Sequence, residues 1–246
     1  MARGARGRAT QTVDSRAPPS DRGHGRMEFV FVVERARLFD LSFPQGFVAA
    51  AKDRAAAADR LARIRRHGFF VERRKAEQDS SWKQIIPYVV VTRGDAILLL
   101  ERTKRQGEAR LHGKLSIGVG GHINPVDEND GKPDDTLLEG LRRELAEELD
   151  VSGPAELRAA GFLNDDATDV GAVHFGLVAV ADARRAEVKI RETELMSGRF
   201  VPRAELIELC RRERDRFETW SSLLVDRLDD VLASDLSLEE VFAARA

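Results

Sequence analysis

One cysteine in 246 residues, Cys210, leaves no partner for a disulfide within the chain and too few thiolates for a cysteine cage around a metal. A reducing cytoplasm fits that usage best. Long apolar runs are also missing. The longest candidates, such as Ala96 to Leu100, are strand-sized and fall far short of the roughly 20 residues that span a bilayer. Nor is one sign of charge in excess: 40 Lys and Arg face 42 Asp and Glu, a formal charge of -2. No overall field therefore favours nucleic acid or an acidic membrane, and recognition must rest on local charge. What is present is enough apolar content, 42%, to build one large domain or a medium one with appendages.

Residues 1–26 hold six arginines, two aspartates and almost nothing apolar, which excludes the apolar stretch of a secretory signal and predicts disorder. A dispensable leader ahead of Met27 is the simplest reading, and a basic arm on a polyanion the alternative. Strand patterns follow at 28 to 33, 69 to 72, Ile85 to Thr92, Ala96 to Arg102, Leu115 to Val119, Leu157 to Leu163, Ala172 to Val180 and Glu187 to Ile190. Arg93, Gly94 and Asp95 signal a hairpin. Helical spacing covers Ala49 to His67, Thr136 to Leu149 and the chain beyond Pro202, where Ser237 and Glu240 have capping-box spacing. The order is mixed α/β. It divides into the leader, an α/β extension over 27–80, a central domain over 84–205 and C-terminal helices over 206–246. The extension can add strands and a helix to the central sheet, form a homodimer surface or cover a site.

The stretch RRELAEELDV places Glu144, Glu147 and Glu148 within about a third of a helix circumference, beside an arc of Leu137, Leu138, Leu141, Leu145 and Leu149. Like charges so spaced repel by a few tenths of a kcal/mol per pair, which an exposed helix tolerates. A solvated acidic face therefore remains open on the helix alone. Gly140 projects onto the carboxylate sector one turn earlier and leaves that spot empty. A strand ending in Gly120 and Gly121, then a polar loop, leads into this helix, and glycines there let the backbone approach an ion or phosphate.

Together these features resemble the Nudix box, G-x5-E-x7-R-E-U-x-E-E-x-G-U with U a bulky aliphatic residue. Arg143, Glu144, Leu145, Glu147, Glu148 and Val151 match in register. Asp135 stands eight before Arg143 where the pattern has Glu, 13 residues rather than five follow Gly121, and Asp150 replaces the penultimate glycine. The resemblance implies an α/β/α sandwich with a mixed sheet. It also implies Mg²⁺- or Mn²⁺-dependent hydrolysis of a nucleoside diphosphate linked to another moiety, a phosphorylated small molecule. Glu147 and Glu148 would be the main metal ligands, with Glu144 and the Gly121 carbonyl. Glu144 is open to a role as general base, and Arg143 would orient a carboxylate or simply pair along the helix. Asp135 is equally suited to capping.

A further acid is expected from RETELMSGRFVP, with Glu194 the choice and Glu192, Asp165 and Asp166 its rivals. Lys104, Arg105, Arg110, His112 and Lys114 crowd the loop before Gly121 as a phosphate-gripping set or an exposed basic loop. His174 faces the cleft or is a satisfied, partly buried histidine. The proline of ADP-ribose pyrophosphatases, the tyrosine of dinucleoside polyphosphate hydrolases and the NADH pyrophosphatase motif are absent, so the substrate stays open. Two other readings are a noncatalytic nucleotide-sensing module of this fold and a diphosphate isomerase. The isomerase needs a cysteine ahead of the box, whereas Cys210 lies far after it.

Overall fold

The computed structural model describes residues 27–39, 44–102, 113–128, 133–191 and 193–238. The elements run β1 (Phe29–Glu34), α1 (Arg35–Leu38), β2 (Gly46–Ala49), α2 (Arg54–His67), β3 (Gly68–Glu72), α3 (Arg73–Ala76), β4 (Trp82–Arg93), β5 (Ala96–Arg102), β6 (Leu115–Ser116), β7 (Gly118–Gly120) and α4 (Pro133–Glu148). There follow β8 (Leu149–Ser152), β9 (Glu156–Asn164), α5 (Asp169–Val173), β10 (His174–Asp182), β11 (Glu187–Ile190), β12 (Met196–Pro202), α6 (Arg203–Arg212), α7 (Thr219–Val225), α8 (Leu228–Leu232) and β13 (Leu236–Ser237).

β4 and β10 run parallel at the centre, His174 opposite Gln84 and Asp182 opposite Thr92. Both are dense apolar runs, as suits strands covered on two faces. Antiparallel neighbours complete the order β12-β5-β4-β10-β9-β13, with β6 added to β5 and β7 to β4. The turn from β4 to β5 passes through Gly94 at φ 63°, the left-handed conformation that its hairpin signal requires. β8 and β11 form a separate two-stranded ladder.

Strand alternation feeds two cores. Ile85, Val89, Leu98, Leu100, Phe175 and Leu177 pack with Leu61 and Ile64 of α2 and Leu137 and Leu141 of α4. Tyr88, Val90, Ile97, Leu99, Val178 and Val180 meet Leu206, Cys210, Leu224 and Leu228 from α6, α7 and α8. Helices thus cover both faces of a mixed sheet, the expected α/β/α sandwich.

The N-terminal strands join this same sheet: β1 pairs with β3 and β4, and β2 with β9. Of the roles open to residues 27–80, adding strands and a helix to the sheet is the one displayed. Among the described residues no helix is long and apolar enough to cross a membrane.

Several boundaries differ from expectation. Ala49 closes β2 and α2 begins only at Arg54, because the Asp53 carboxylate caps the Ala56 N–H at 2.9 Å. α4 starts at Pro133, a residue suited to a first turn, and Leu149 belongs to β8. The strand expected from Ala172 begins at His174, since Thr168 Oγ1 accepts the Gly171 N–H at 3.0 Å and caps the short α5. Beyond Pro202, a two-residue strand, β13, interrupts the helices, and Glu240 lies outside the described residues.

Candidate active site

The buried side of α4 anchors the helix, with Leu137 and Leu141 each 1% exposed. Its carboxylates emerge at the border, where the Glu144 side chain is 13% exposed and that of Glu147 49%.

Arg143 is the hub of the site. Nε and Nη2 donate to Oδ1 and Oδ2 of Asp127 at 2.7 and 2.9 Å. Nη1 donates to Oε1 of Glu144 at 2.7 Å and of Glu147 at 3.1 Å. Nη2 also reaches the His122 carbonyl at 2.7 Å and Asn124 Oδ1 at 3.2 Å. Burial opposes the guanidinium charge, but Asp127 and Glu144 more than offset this and raise its pKa. Arg143 therefore bonds two carboxylates of its own helix and ties α4 to the loop after β7.

The pairing relocates the insertion in the box. Counted forward from Gly121, five residues precede Asp127, and it is Asp127, 3% exposed, that holds Arg143. Fifteen residues, 128 to 142, then separate acid from arginine where the pattern has seven, so the eight extra residues follow the acid. Reading backward from the helix places the acid at Asp135 instead, in the first turn of α4, and Asp127 goes unnoticed. Asp127 also accepts the Asn124 N–H at 2.8 Å, which folds 124 to 127 into a capped turn.

Two glycines allow this closeness. A Cβ on Gly121 would lie 2.3 Å from Glu144 Oε2, so only backbone fits beside that carboxylate. A Cβ on Gly140 would stand 2.8 Å from Ile123 Cγ1 and 3.2 Å from Asp127 Oδ2. The spot left empty on the helix is thus filled by the loop. Burial pushes the Glu144 carboxyl up to about 7, with Arg143 pulling against it and Glu147 adding to the rise.

The donors available to a hard cation here are the carboxylates of Glu144, Glu147 and Glu148 and the Gly121 carbonyl, oxygens of the kind Mg²⁺ or Mn²⁺ prefers. Gly121 backbone against a desolvated carboxylate fits such an ion. Among the described residues, no three His, Cys, Asp or Glu side chains already converge tightly enough to hold one.

At the far end of α4, Arg102 Nε donates to Glu218 Oε1 at 3.2 Å. Burial lowers the Arg102 pKa, and the charges of Glu218 and Glu148 outweigh this and raise it. Arg102 escaped sequence reading because it sits last in an apolar strand with no motif around it. Glu194 is exposed in the loop between Arg191, whose N–H bonds the Glu148 carbonyl at 2.9 Å, and Met196, which pairs with Arg102. That loop borders the end of the acidic helix.

The rivals of Glu194 have other partners. Asp166 accepts from Arg35, Lys83, Gln45 and Asn164, and these bonds hold its carboxyl well below the usual range. Asp165 accepts the Ala167 N–H at 3.1 Å and the Thr168 hydroxyl at 3.3 Å, closing a turn before α5. Glu192 lies outside the described residues, as do Lys104, Arg105, Arg110 and His112. Lys114 is described, and its ammonium donates to the Asp215 carbonyl, which engages it with the C-terminal helical layer. Cys210 is 1% exposed on that same layer, across the sheet from α4, so it supplies no thiol to the acidic helix. A groove of about 550 Å³ also lies on that layer, lined by α6 and α8 residues such as Arg203, Ile207 and Leu228, away from the carboxylates.

His174 Nε2 lies 3.3 Å from His122 Nε2, and its ring meets Trp220 edge to face at 6.5 Å. The histidine of β10 is thus half-buried and joined to the loop carrying Gly121, a relation that no local spacing encodes.

The family model for the NUDIX domain matches residues 83–223, running past 205 into α7. The chain is 38% identical over 165 residues to Protein YmaB of Bacillus subtilis (strain 168), covering 65% of this chain and 77% of that one. It is also similar to the crystal structure of Tm1382, provisionally named a Nudix hydrolase. The TM-score there is 0.65 at 30% identity, over 82% of this chain and 98% of that one.

Proposed function

The chain belongs to the Nudix family and is a phosphohydrolase of it, and from that premise we propose that it cleaves the phosphoanhydride of a nucleoside diphosphate linked to another moiety, or of a related organic pyrophosphate, by attack of water on phosphorus. The observation that carries this reading is the Arg143 hub, which sets Glu144 against Gly121 backbone and draws Glu147 to the same guanidinium.

Glu147 and Glu148, with the Gly121 carbonyl, are the groups to hold Mg²⁺ or Mn²⁺. When bound, such ions offset phosphate charge and lower the pKa of water. Arg143 orients the carboxylates and is itself held by Asp127. Burial that lifts Glu144 to about 7 leaves it able to take a proton at Oε2 near neutral pH, the property of a general base. Gly121, without a Cβ, lets its backbone lie beside that oxygen.

The test is a screen of the full chain with Mg²⁺ or Mn²⁺ against nucleoside triphosphates, nucleotide sugars, dinucleotides, coenzyme A and non-nucleotide diphosphates, beside the Glu147→Gln, Glu148→Gln double variant. Turnover of one class, lost in the variant, supports hydrolysis and names the substrate. Tight binding of one compound with no turnover of any would replace the hydrolase by a sensing module.

A further inference from the structure

Asn124 hydrogen-bonds in three directions at once. Its backbone N–H donates to Asp127 Oδ2 at 2.8 Å, its side-chain Oδ1 accepts from Arg143 Nη2 at 3.2 Å, and its Nδ2 donates to the Phe29 carbonyl at 2.8 Å. The carboxamide has one workable orientation. A guanidinium only donates and a backbone carbonyl only accepts, so a flipped amide would set donor against donor at one end and acceptor against acceptor at the other.

Phe29 opens β1, so this side chain ties the loop after β7 to the first strand of the N-terminal extension, 95 positions away in sequence. A second bond runs beside it, from the Phe31 N–H to the Ile123 carbonyl at 2.9 Å. β1 is itself fixed in the sheet, with Phe29 opposite Glu72 of β3 and Glu34 opposite Trp82 of β4. The two ends of the Asn124 amide differ in weight. Arg143 Nη2 has two hydrogens and three acceptors, the His122 carbonyl at 2.7 Å, Asp127 Oδ2 at 2.9 Å and Asn124 Oδ1 as the longest, so the hub stays held without Oδ1. The Nδ2 bond is the one that joins the loop to the extension.

Resting on the hydrolase reading, we propose that Asn124 is a positioning residue: through Nδ2 on the Phe29 carbonyl, it lets β1 set the path of the Gly121 to Asp127 loop. That path places the His122 carbonyl and the Asp127 carboxylate on Arg143, and Gly121 backbone beside Glu144. The N-terminal extension thereby takes part in the reaction as well as widening the sheet. Small displacements matter here, because the bonds that converge on Arg143 are all between 2.7 and 3.2 Å.

Two substitutions in the full chain separate the ends of the amide. Asn124→Asp keeps an acceptor for Arg143 and turns the donor into an oxygen that the Phe29 carbonyl repels, whereas Asn124→Ala removes both. The assay takes the compound that turns over among the nucleoside triphosphates, nucleotide sugars, dinucleotides, coenzyme A and non-nucleotide diphosphates of the screen. Both variants should lower kcat about tenfold with KM within about twofold, since a shifted loop misplaces the reacting groups. An Asn124→Asp chain as fast as wild type would mean that the residue serves Arg143 alone, and overturns the assignment. So does a kcat loss that only follows a melting temperature fallen to the assay temperature, which marks a structural role. Amide hydrogen exchange over 121–127, read without substrate, should quicken in both variants while α4 stays protected. If wild type hydrolyses nothing in the screen, the hydrolase reading fails by itself and exchange decides the link: quickening in Asn124→Asp as in Asn124→Ala sustains it, and wild-type exchange in Asn124→Asp ends it.

Discussion

Asp127 and Arg143 meet in a two-pronged ion pair, Oδ1 to Nε at 2.7 Å and Oδ2 to Nη2 at 2.9 Å, across the start of the insertion in the box. With Asp127 3% and Arg143 23% exposed, removing one partner leaves the other charge poorly compensated. Asp127→Ala is expected to cost about 3–5 kcal/mol of stability in a denaturant titration. Its activity should fall further than that of Asp135→Asn. Equal, small effects of the two substitutions would return the acid of the box to position 135.

Glu147 is half-exposed, so charge removal there touches little packing. Glu147→Gln and Glu148→Gln should each lower kcat/KM by about a hundredfold or more, the several kcal/mol that a metal-held phosphate contributes. Circular dichroism and melting temperature should stay near wild type for Glu147→Gln. A loss of turnover that merely tracks a loss of fold would count against ligation.

Glu194 lies between two anchors of the site, the Arg191 N–H on the Glu148 carbonyl and Met196 on Arg102. If it takes part in proton transfer, Glu194→Gln lowers kcat by about a hundredfold with little change in KM or melting temperature. Unchanged kcat would make this acid a surface residue.

The parts legible in the sequence are those whose signal is local. The strand Glu187 to Ile190 and the turn at Gly94 are where patterning puts them, and Glu144 and Glu147 converge on Arg143 as one helix turn requires. β12 escaped because Ser197, Gly198 and Arg199 are exposed on a strand that, among the described residues, pairs with β5 alone, which leaves no apolar alternation to read. β2 escaped because four residues are too few for a period. The partnership of Asp127 with Arg143 spans sixteen positions and an insertion, so it needed the loop's path. The meeting of His122 with His174 needed the sheet.

Asp166 illustrates an acid whose role is structural. Its carboxylate faces Lys83, which is 0% exposed and bonds it at 2.7 Å, and its pKa is held far down by Arg35 and Lys83. A depressed carboxyl stabilises the fold above its unfolded pKa, and that stability drains as pH falls through the acid range. Asp166→Asn should destabilise by about 3 kcal/mol at pH 7, since a buried ammonium loses its counter-charge, and should lessen acid sensitivity. Melting curves from pH 3 to 7 decide this, and a variant as stable as wild type at neutral pH would refute it.

Glu144 predicts the opposite slope. Its folded pKa of about 7 exceeds the ordinary 4.5, so between those values the folded chain holds a proton that the unfolded chain has released. Stability from this group is complete below the lower value and is lost as pH rises to the upper one. Glu144→Gln removes the penalty, so the variant should gain on wild type across that window and plateau above it, by up to about 3 kcal/mol. Asp166, His122 and His174 titrate in both proteins and cancel in the difference. Mg²⁺ favours the ionised carboxylate, so added Mg²⁺ should flatten the wild-type curve more than that of the variant, which keeps Glu147 and Glu148 but has no carboxylate at 144 to ionise. A wild-type slope indifferent to both the substitution and the ion would show that Glu144 is neither desolvated nor placed to meet a cation.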